Sequence, residues 1–171
     1  MEKQLLSEIR SAFEDAIFPS HCGLHAACAR DDWIDDEEQL RRITLRDDFV
    51  GDWWDVPDEH LLDCMMALSY LDKEGMKFYL PAYMTAVVER PEQYDSASRS
   101  SSWQVVFTLL PPSQDNEPLL RDRFKMLFDG FDSSKRNVVR KFLNYVCASD
   151  LYNTHAREIS GECLSEGFWN S

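Results

Sequence analysis

The chain has 171 residues, 44% of them hydrophobic, and its 31 acidic side chains against 18 lysines and arginines give a net charge of −13. This length predicts one domain with its own core. The negative charge excludes general binding to nucleic acid or to anionic lipid, because both would repel the protein. No stretch of about 18 uncharged apolar residues is present, and the charged start MEKQLLSEIR does not resemble a signal peptide, so we expect a cytoplasmic protein without a membrane span.

The first predicted element is an amphipathic helix over residues 2–17. Leu5, Ile9 and Phe13 recur in it at helical spacing, and Pro19 follows its end. The five cysteines are odd in number and irregularly spaced, which argues against a disulfide framework in such a chain. Each is predicted to be a small buried residue or a free thiol.

Metal-binding residue types follow the first helix. His21, His25 and Cys28 would share one face of a helix, and zinc accepts these ligands. One short segment would have to supply the whole ligand set, and Gly23 disfavours the helix. We therefore assign no metal ligand and no cofactor, and prefer a short segment with Leu24 and Cys28 packed inward.

Residues 31–60 hold twelve acids against three arginines, a local net charge of −9. Apolar residues are interleaved with these acids, so we expect short helices with the acids outside rather than a disordered tail. No window has the ligand pattern of an EF-hand loop. Paired carboxylates can perform acid–base catalysis, but so dense a cluster is more typical of a solvated face.

The pair Trp53-Trp54 lies within this acidic segment. If one indole packs inward, the other is exposed or half-exposed beside carboxylates, which is the appearance of a binding hot spot for a basic partner. The alternative is that both are core residues at a turn. The predicted partner-binding residues are Asp35, Asp36, Glu37, Asp52, Trp53, Trp54 and Asp55.

The strongest helical pattern spans residues 71–90. Asp72 is a suitable N-cap, and Pro81 predicts a kink or break because it lacks the N–H for the helical hydrogen bond. Tyr79, Pro81 and Tyr83, with His60, could form the wall of a pocket. The plainer interpretation is that the tyrosines are core residues.

Further helices are predicted over residues 58–70, 103–110, 117–128 and from Ser133 to beyond Val146, where Asp132 is the N-cap. The last of these has a basic outer face that could pair with acids of the same chain or of a second copy. No strand pattern is long enough to build a sheet. We expect an all-α bundle of six or seven helices around the Pro81 helix, comprising residues 1–149, with a less regular tail, residues 150–171, docked on it through Phe168 and Trp169.

Three strings resemble a known family: YLPAYM with a preceding Leu-Asp-x-Glu-Gly, IRSAFEDAIFP near the start, and the later NVVRKFLNYV. Together they are similar to an uncharacterised family of small bacterial proteins, known only as a domain of unknown function. The resemblance covers Leu5 to Val146. It implies a bacterial, all-helical protein and brings no activity, cofactor or catalytic residue.

Three functions follow as hypotheses. The first is a non-enzymatic module that binds a basic protein, most specifically an immunity or inhibitor protein that neutralises a nucleic-acid-targeting toxin, because an acidic surface can fill a cleft built for phosphate. The second is a small-molecule or enzymatic pocket beside Pro81. The third is a structural homo-oligomer held by opposite charges. Phosphate loops, nucleophile elbows and zinc-protease motifs do not occur in the sequence.

Overall fold

The computed structural model describes residues 2–96, 99–100, 102–113 and 118–170. These residues contain ten α-helices and one ladder of two-residue strands. The helices are α1 Glu2–Ala12, α2 Leu24–Asp31, α3 Glu37–Asp47, α4 Asp58–Asp63, α5 Lys73–Glu89, α6 Pro91–Tyr94, α7 Ser102–Thr108, α8 Pro118–Leu127, α9 Ser133–Ala148 and α10 Thr154–Ser165. Single 3-10 segments lie at Trp53–Asp55, Met65–Ser69 and Phe168–Asn170. The strands Asp95–Ser96 and Arg99–Ser100 pair antiparallel. The all-α, single-domain prediction is therefore confirmed.

Helix α5 is the centre of the domain, as predicted. The Asp72 side chain caps it by accepting from the Gly75 N–H at 2.8 Å. Twelve of its seventeen residues are buried, so the helix is covered on all sides rather than along one stripe. It continues through Pro81 as one element, without the break that the sequence allowed.

Two of the predicted helices end earlier than their sequence patterns indicated. The first helix ends at Ala12 rather than residue 17, and Trp53 Nε1 donates to the Phe13 carbonyl at 2.9 Å. The predicted helix over residues 58–70 changes to 3-10 geometry after Cys64. Tyr83 Oη donates to the Cys64 carbonyl at 2.8 Å, so side chains satisfy the carbonyls that the helix ends leave free.

Helix α1 packs on α5 and α9 and is joined to α9 by charge. Lys141 Nζ donates to Glu8 at 2.6 Å, and this bond is the main reason for the lowered pKa of Glu8. The buried Lys135 ammonium lies 3.0 Å from Asp15. Burial raises the pKa of Asp15, but the hydrogen bonds from Lys77 and Lys135 outweigh it, so the pKa is lowered overall. The basic face of α9 thus pairs with acids near α1.

Residues 150–170 contain a regular helix, although the sequence predicted a less regular tail. Asn153 caps α10 by accepting from the Ala156 N–H at 2.8 Å, and α10 packs on α9 and α7. Trp169 is 1% exposed, and its Nε1 donates to the Leu109 carbonyl at 2.8 Å. The end of the described chain is therefore part of the core.

Candidate functional site

Trp33 is the most exposed large apolar side chain in the described residues, with 90% of its surface accessible. Its backbone is left-handed, with φ of 65°. It follows helix α2, where its N–H bonds to the Arg30 carbonyl at 3.1 Å and the next amide, of Ile34, bonds to Ala29 at 3.0 Å. This is a helix-ending turn whose left-handed position normally holds glycine. The sequence instead places its largest side chain there and directs it into solvent.

The turn holds its shape because Ile34, the residue after Trp33, packs against the core. An apolar contact by the residue that follows the left-handed position is a usual companion of this turn. With Ile34 anchored inward, Trp33 is held outward. The exposure of the indole is thus a consequence of local backbone geometry.

Exposed carboxylates flank Trp33 in sequence. Asp31, Asp32, Asp35 and Asp36 are all exposed. Asp36 caps α3 by accepting from the Gln39 N–H at 2.7 Å. Glu37 lies 3.3 Å from Arg30. In the part of the chain that the structure describes, no ion pair involves Asp32 or Asp35, so both carboxylates are available to a cationic partner. We call residues 31–37 the Trp33 surface.

A groove with a volume of 630 Å³ adjoins this surface. Trp33, Asp35 and Met126 of α8 line it, and Met126 is 60% exposed. Tyr70 also lines it, and its hydrogen bond to Asp31 raises the pKa of the phenol. Together the Trp33 surface and the groove combine an aromatic anchor, a flexible thioether and charged groups of both signs, which is a composition typical of a protein-binding site.

In the predicted Trp53-Trp54 pair, one indole packs inward and the other is half-buried beside exposed carboxylates, which is one of the two arrangements that the sequence left open. Trp53 is buried and cannot contact a partner. Trp54 is half-buried, and the Arg10 guanidinium covers one face of its ring at 4.1 Å. Asp52 and Asp55 are exposed, but Asp55 lines a separate cleft of 260 Å³ with Trp54. The seven predicted residues are thus divided between the Trp33 surface and the region around Trp53 and Trp54. The most exposed indole is that of Trp33, which the prediction omitted.

The predicted pocket residues on α5 belong to the core. Tyr79, Pro81 and Tyr83 are all buried, and the clefts described above are lined by other residues. Burial raises the pKa of both tyrosines well above the usual range. The plainer interpretation of these tyrosines agrees with their positions, whereas His60 is only partly buried and lies against His25.

His21, His25 and Cys28 do not converge on one point, because each contacts a different partner. His21 Nε2 lies 2.5 Å from Asp72. Cys28 shares a hydrogen bond with Cys64, which lowers the pKa of Cys28 and raises that of Cys64. His25 contacts Asp48, the residue that ends α3.

Asp48, His25 and His60 form a compact group between α2, α3 and α4. The Asp48 side chain is 1% exposed, and its Oδ1 lies 3.0 Å from His25 Nδ1 and accepts from the His25 N–H at 3.2 Å. Burial raises the pKa of Asp48, while the His25 ring and amide oppose that shift. The ligand atoms of the three residues lie within 4.8 Å of one another. These are the described residues best placed to hold a metal ion.

The fold and these surfaces define a small all-α domain with an exposed tryptophan in an acidic setting. The chain belongs to DUF6714, a family of unknown function that matches residues 1–170. The match extends beyond the Leu5–Val146 range of the resemblance and includes the C-terminal helix. No curated protein and no solved structure matches the chain. None of the described helices is long and apolar enough to cross a bilayer.

Proposed function

We propose that the chain binds a protein with a basic contact surface, and that the Trp33 surface is the interface. The observation that carries this proposal is the 90% exposure of Trp33 in a left-handed backbone conformation. Such a conformation costs roughly 1–2 kcal/mol for a residue other than glycine. An exposed indole also leaves a large apolar area in water. Glycine at position 33 would avoid both costs. We therefore infer that the tryptophan side chain is there because a function needs it.

The chemistry of the surface selects a basic partner. A tryptophan face attracts arginine and lysine cations, and the neighbouring carboxylates of Asp32 and Asp35 offer further pairing. The net charge of −13 would speed the approach of a cationic protein. The specific form that we favour is an immunity or inhibitor protein in a bacterium, whose carboxylates replace phosphates in the cleft of a nucleic-acid-targeting toxin.

The test begins with capture of the partner on immobilised wild-type chain and continues with titration of the purified partner. Trp33→Gly should weaken binding at least about thirtyfold, because truncation of a hot-spot residue costs 2 kcal/mol or more. The double reversal Asp32→Lys/Asp35→Lys should weaken binding at least about tenfold and reduce its dependence on salt.

The matched control is Glu158→Lys/Glu162→Lys, which changes the net charge equally at two exposed acids of α10. It should leave the affinity within about threefold of wild type, since only long-range attraction changes. A second comparison reverses Asp52 and Asp55, which adjoin Trp54. Capture of an acidic partner contradicts the proposal. So does a loss of partner affinity in the α10 control variant that Trp33→Gly does not show.

The alternative functions have weaker support from these positions. A ligand pocket beside Pro81 would use the cleft near Trp54, which Ala82 and Thr85 of α5 line. Self-association through opposite charges would use the basic face of α9, but Lys135 and Lys141 of that face already pair within the chain. Sedimentation at low and high salt distinguishes self-association from binding to another protein.

A further inference from the structure

The geometry points to a binding site for a divalent transition-metal ion, with Zn²⁺ as the best fit, formed by His25, Asp48 and His60. Each ligand comes from a different part of the fold: His25 from α2, Asp48 from the end of α3 and His60 from α4. The site is separate from the Trp33 surface, and the inference does not rest on the proposed binding function.

The first argument is the approach of the three side chains. Their donor atoms lie within 4.8 Å of one another, and the His25 and His60 rings meet edge to face with centroids 4.9 Å apart. Ligand atoms around a tetrahedral zinc ion are separated by about 3.4 Å, given bonds of about 2.1 Å. The partly exposed histidine side chains can rotate through the remaining distance, whereas the buried carboxylate is fixed.

The second argument is that two buried polar atoms in the group have no hydrogen-bond partner among the described residues. These are Asp48 Oδ2 and His60 Nδ1. The Leu24 amide lowers the pKa of Asp48, but within the described residues no group makes a hydrogen bond to Oδ2. A buried carboxylate oxygen without a donor is costly. A cation between Oδ2 and the two imidazoles would satisfy both atoms and neutralise the carboxylate.

The third argument is that the carboxylate is oriented before any ion binds. The His25 N–H donates to Oδ1 at 3.2 Å and keeps this bond when the ring turns towards an ion. On the other side, a Cβ atom added at Gly23 would lie 2.1 Å from Oδ2, so the backbone approaches as closely as glycine allows. Gly23 is itself held by its N–H bond to Thr44 Oγ1 at 2.8 Å. Oriented ligands reduce the cost of binding an ion.

The donor set selects the class of ion. Two imidazole nitrogens and one carboxylate suit zinc and its neighbours, whereas magnesium and calcium prefer oxygen ligands. The His25 side chain is 31% exposed, which gives solvent access for a water as fourth ligand. The group of His21, Asp72 and Glu74 is a weaker candidate, because none of its described side-chain atoms is both buried and without a hydrogen-bond partner.

The experiment is calorimetric titration of Zn²⁺ into chelator-treated protein that carries no histidine tag. We expect one ion per chain, with a dissociation constant below about 100 µM. His60→Ala and His25→Ala should each weaken binding at least tenfold, because loss even of an outer-shell partner weakens metal sites by about 10–100-fold. His21→Ala and Cys28→Ser are the matched controls and should bind as wild type does.

Titration with Co²⁺ gives a second, independent result. Nitrogen and oxygen ligands produce visible absorption bands without the near-ultraviolet thiolate band that Cys28 or Cys64 would add. If His25→Ala does not fold, His60→Ala and the Co²⁺ spectrum of the wild-type chain still show whether the ion binds at this site. Three results would overturn the inference. The first is binding weaker than the stated limit, and the second is a thiolate band in the Co²⁺ spectrum. The third is loss of the ion with His21→Ala or Cys28→Ser but not with His60→Ala.

Discussion

Replacing Trp33 with glycine should stabilise the folded chain while it weakens partner binding. The side chain is 90% exposed, so its removal forfeits little packing. The backbone φ of 65° favours glycine. A residue with a Cβ pays roughly 1–2 kcal/mol in this conformation, and part of the gain is offset because glycine makes the unfolded chain more flexible. The expected net gain is about 1 kcal/mol.

Trp33→Ala is the matched control for this change. Alanine removes the indole but keeps the Cβ atom in the left-handed conformation, so its stability should stay close to that of wild type. Glycine should exceed alanine by about 1 kcal/mol, which corresponds to a Tm higher by about 2–4 °C for a chain of this size. Urea denaturation followed by circular dichroism measures the free energy of unfolding of all three proteins.

Two results would refute the reasoning, each at a different step. If glycine is no more stable than alanine, residue 33 is not left-handed in solution. If alanine is less stable than wild type by more than about 1 kcal/mol, the indole packs on the domain and is not displayed to a partner. Partner affinity is measured on the same proteins, and both variants should lose it equally because both lack the side chain.

Three further predictions concern the core, the metal candidate and an ion pair. Trp169→Ala should lower the free energy of unfolding by about 3–5 kcal/mol, measured by urea denaturation, because the indole is 1% exposed. Gly23→Ala should destabilise by about 1–3 kcal/mol in the same assay, because the new Cβ would meet Asp48 Oδ2 at 2.1 Å; an unchanged midpoint contradicts this. Because the pKa of Asp15 is lowered, this group's contribution to stability is lost as the pH falls below 3.8, the usual pKa of an aspartate. Because the pKa of Lys135 is raised, its contribution is lost as the pH rises above 10.5, the usual pKa of a lysine. Lys135→Met should reduce both losses in a series of thermal melts; equal pH dependence in the two proteins would exclude the pair as their source.

The central helix was predictable because its signals are local. Asp72 as the cap and an almost continuous apolar pattern identify α5 without any knowledge of its neighbours. The Asp132 cap of α9 was equally readable, and its carboxylate accepts from the Lys135 N–H at 2.9 Å. The family resemblance rested on strings from these two helices and on a third string that begins in α1. Local chemistry was therefore sufficient for the fold class.

The candidate sites were less predictable because they depend on helix ends and on tertiary packing. No glycine or proline marks the end of α2, so nothing in the sequence showed that Trp33 occupies a left-handed turn. His25 and Asp48 are 23 residues apart and meet only because α2 packs on α3. Apolar periodicity identifies which residues are buried but not which distant polar atoms become neighbours.

The pairing of α1 with α9 has a consequence for synthesis of the chain on the ribosome. Glu8 and Lys141 are separated by 133 residues, so at 5–20 residues per second α1 emerges roughly 7–27 s before this partner exists. During that interval the apolar side chains of α1, including Leu5 and Ile9, lack part of their final cover. Completion of the domain must therefore wait until α9 has been translated.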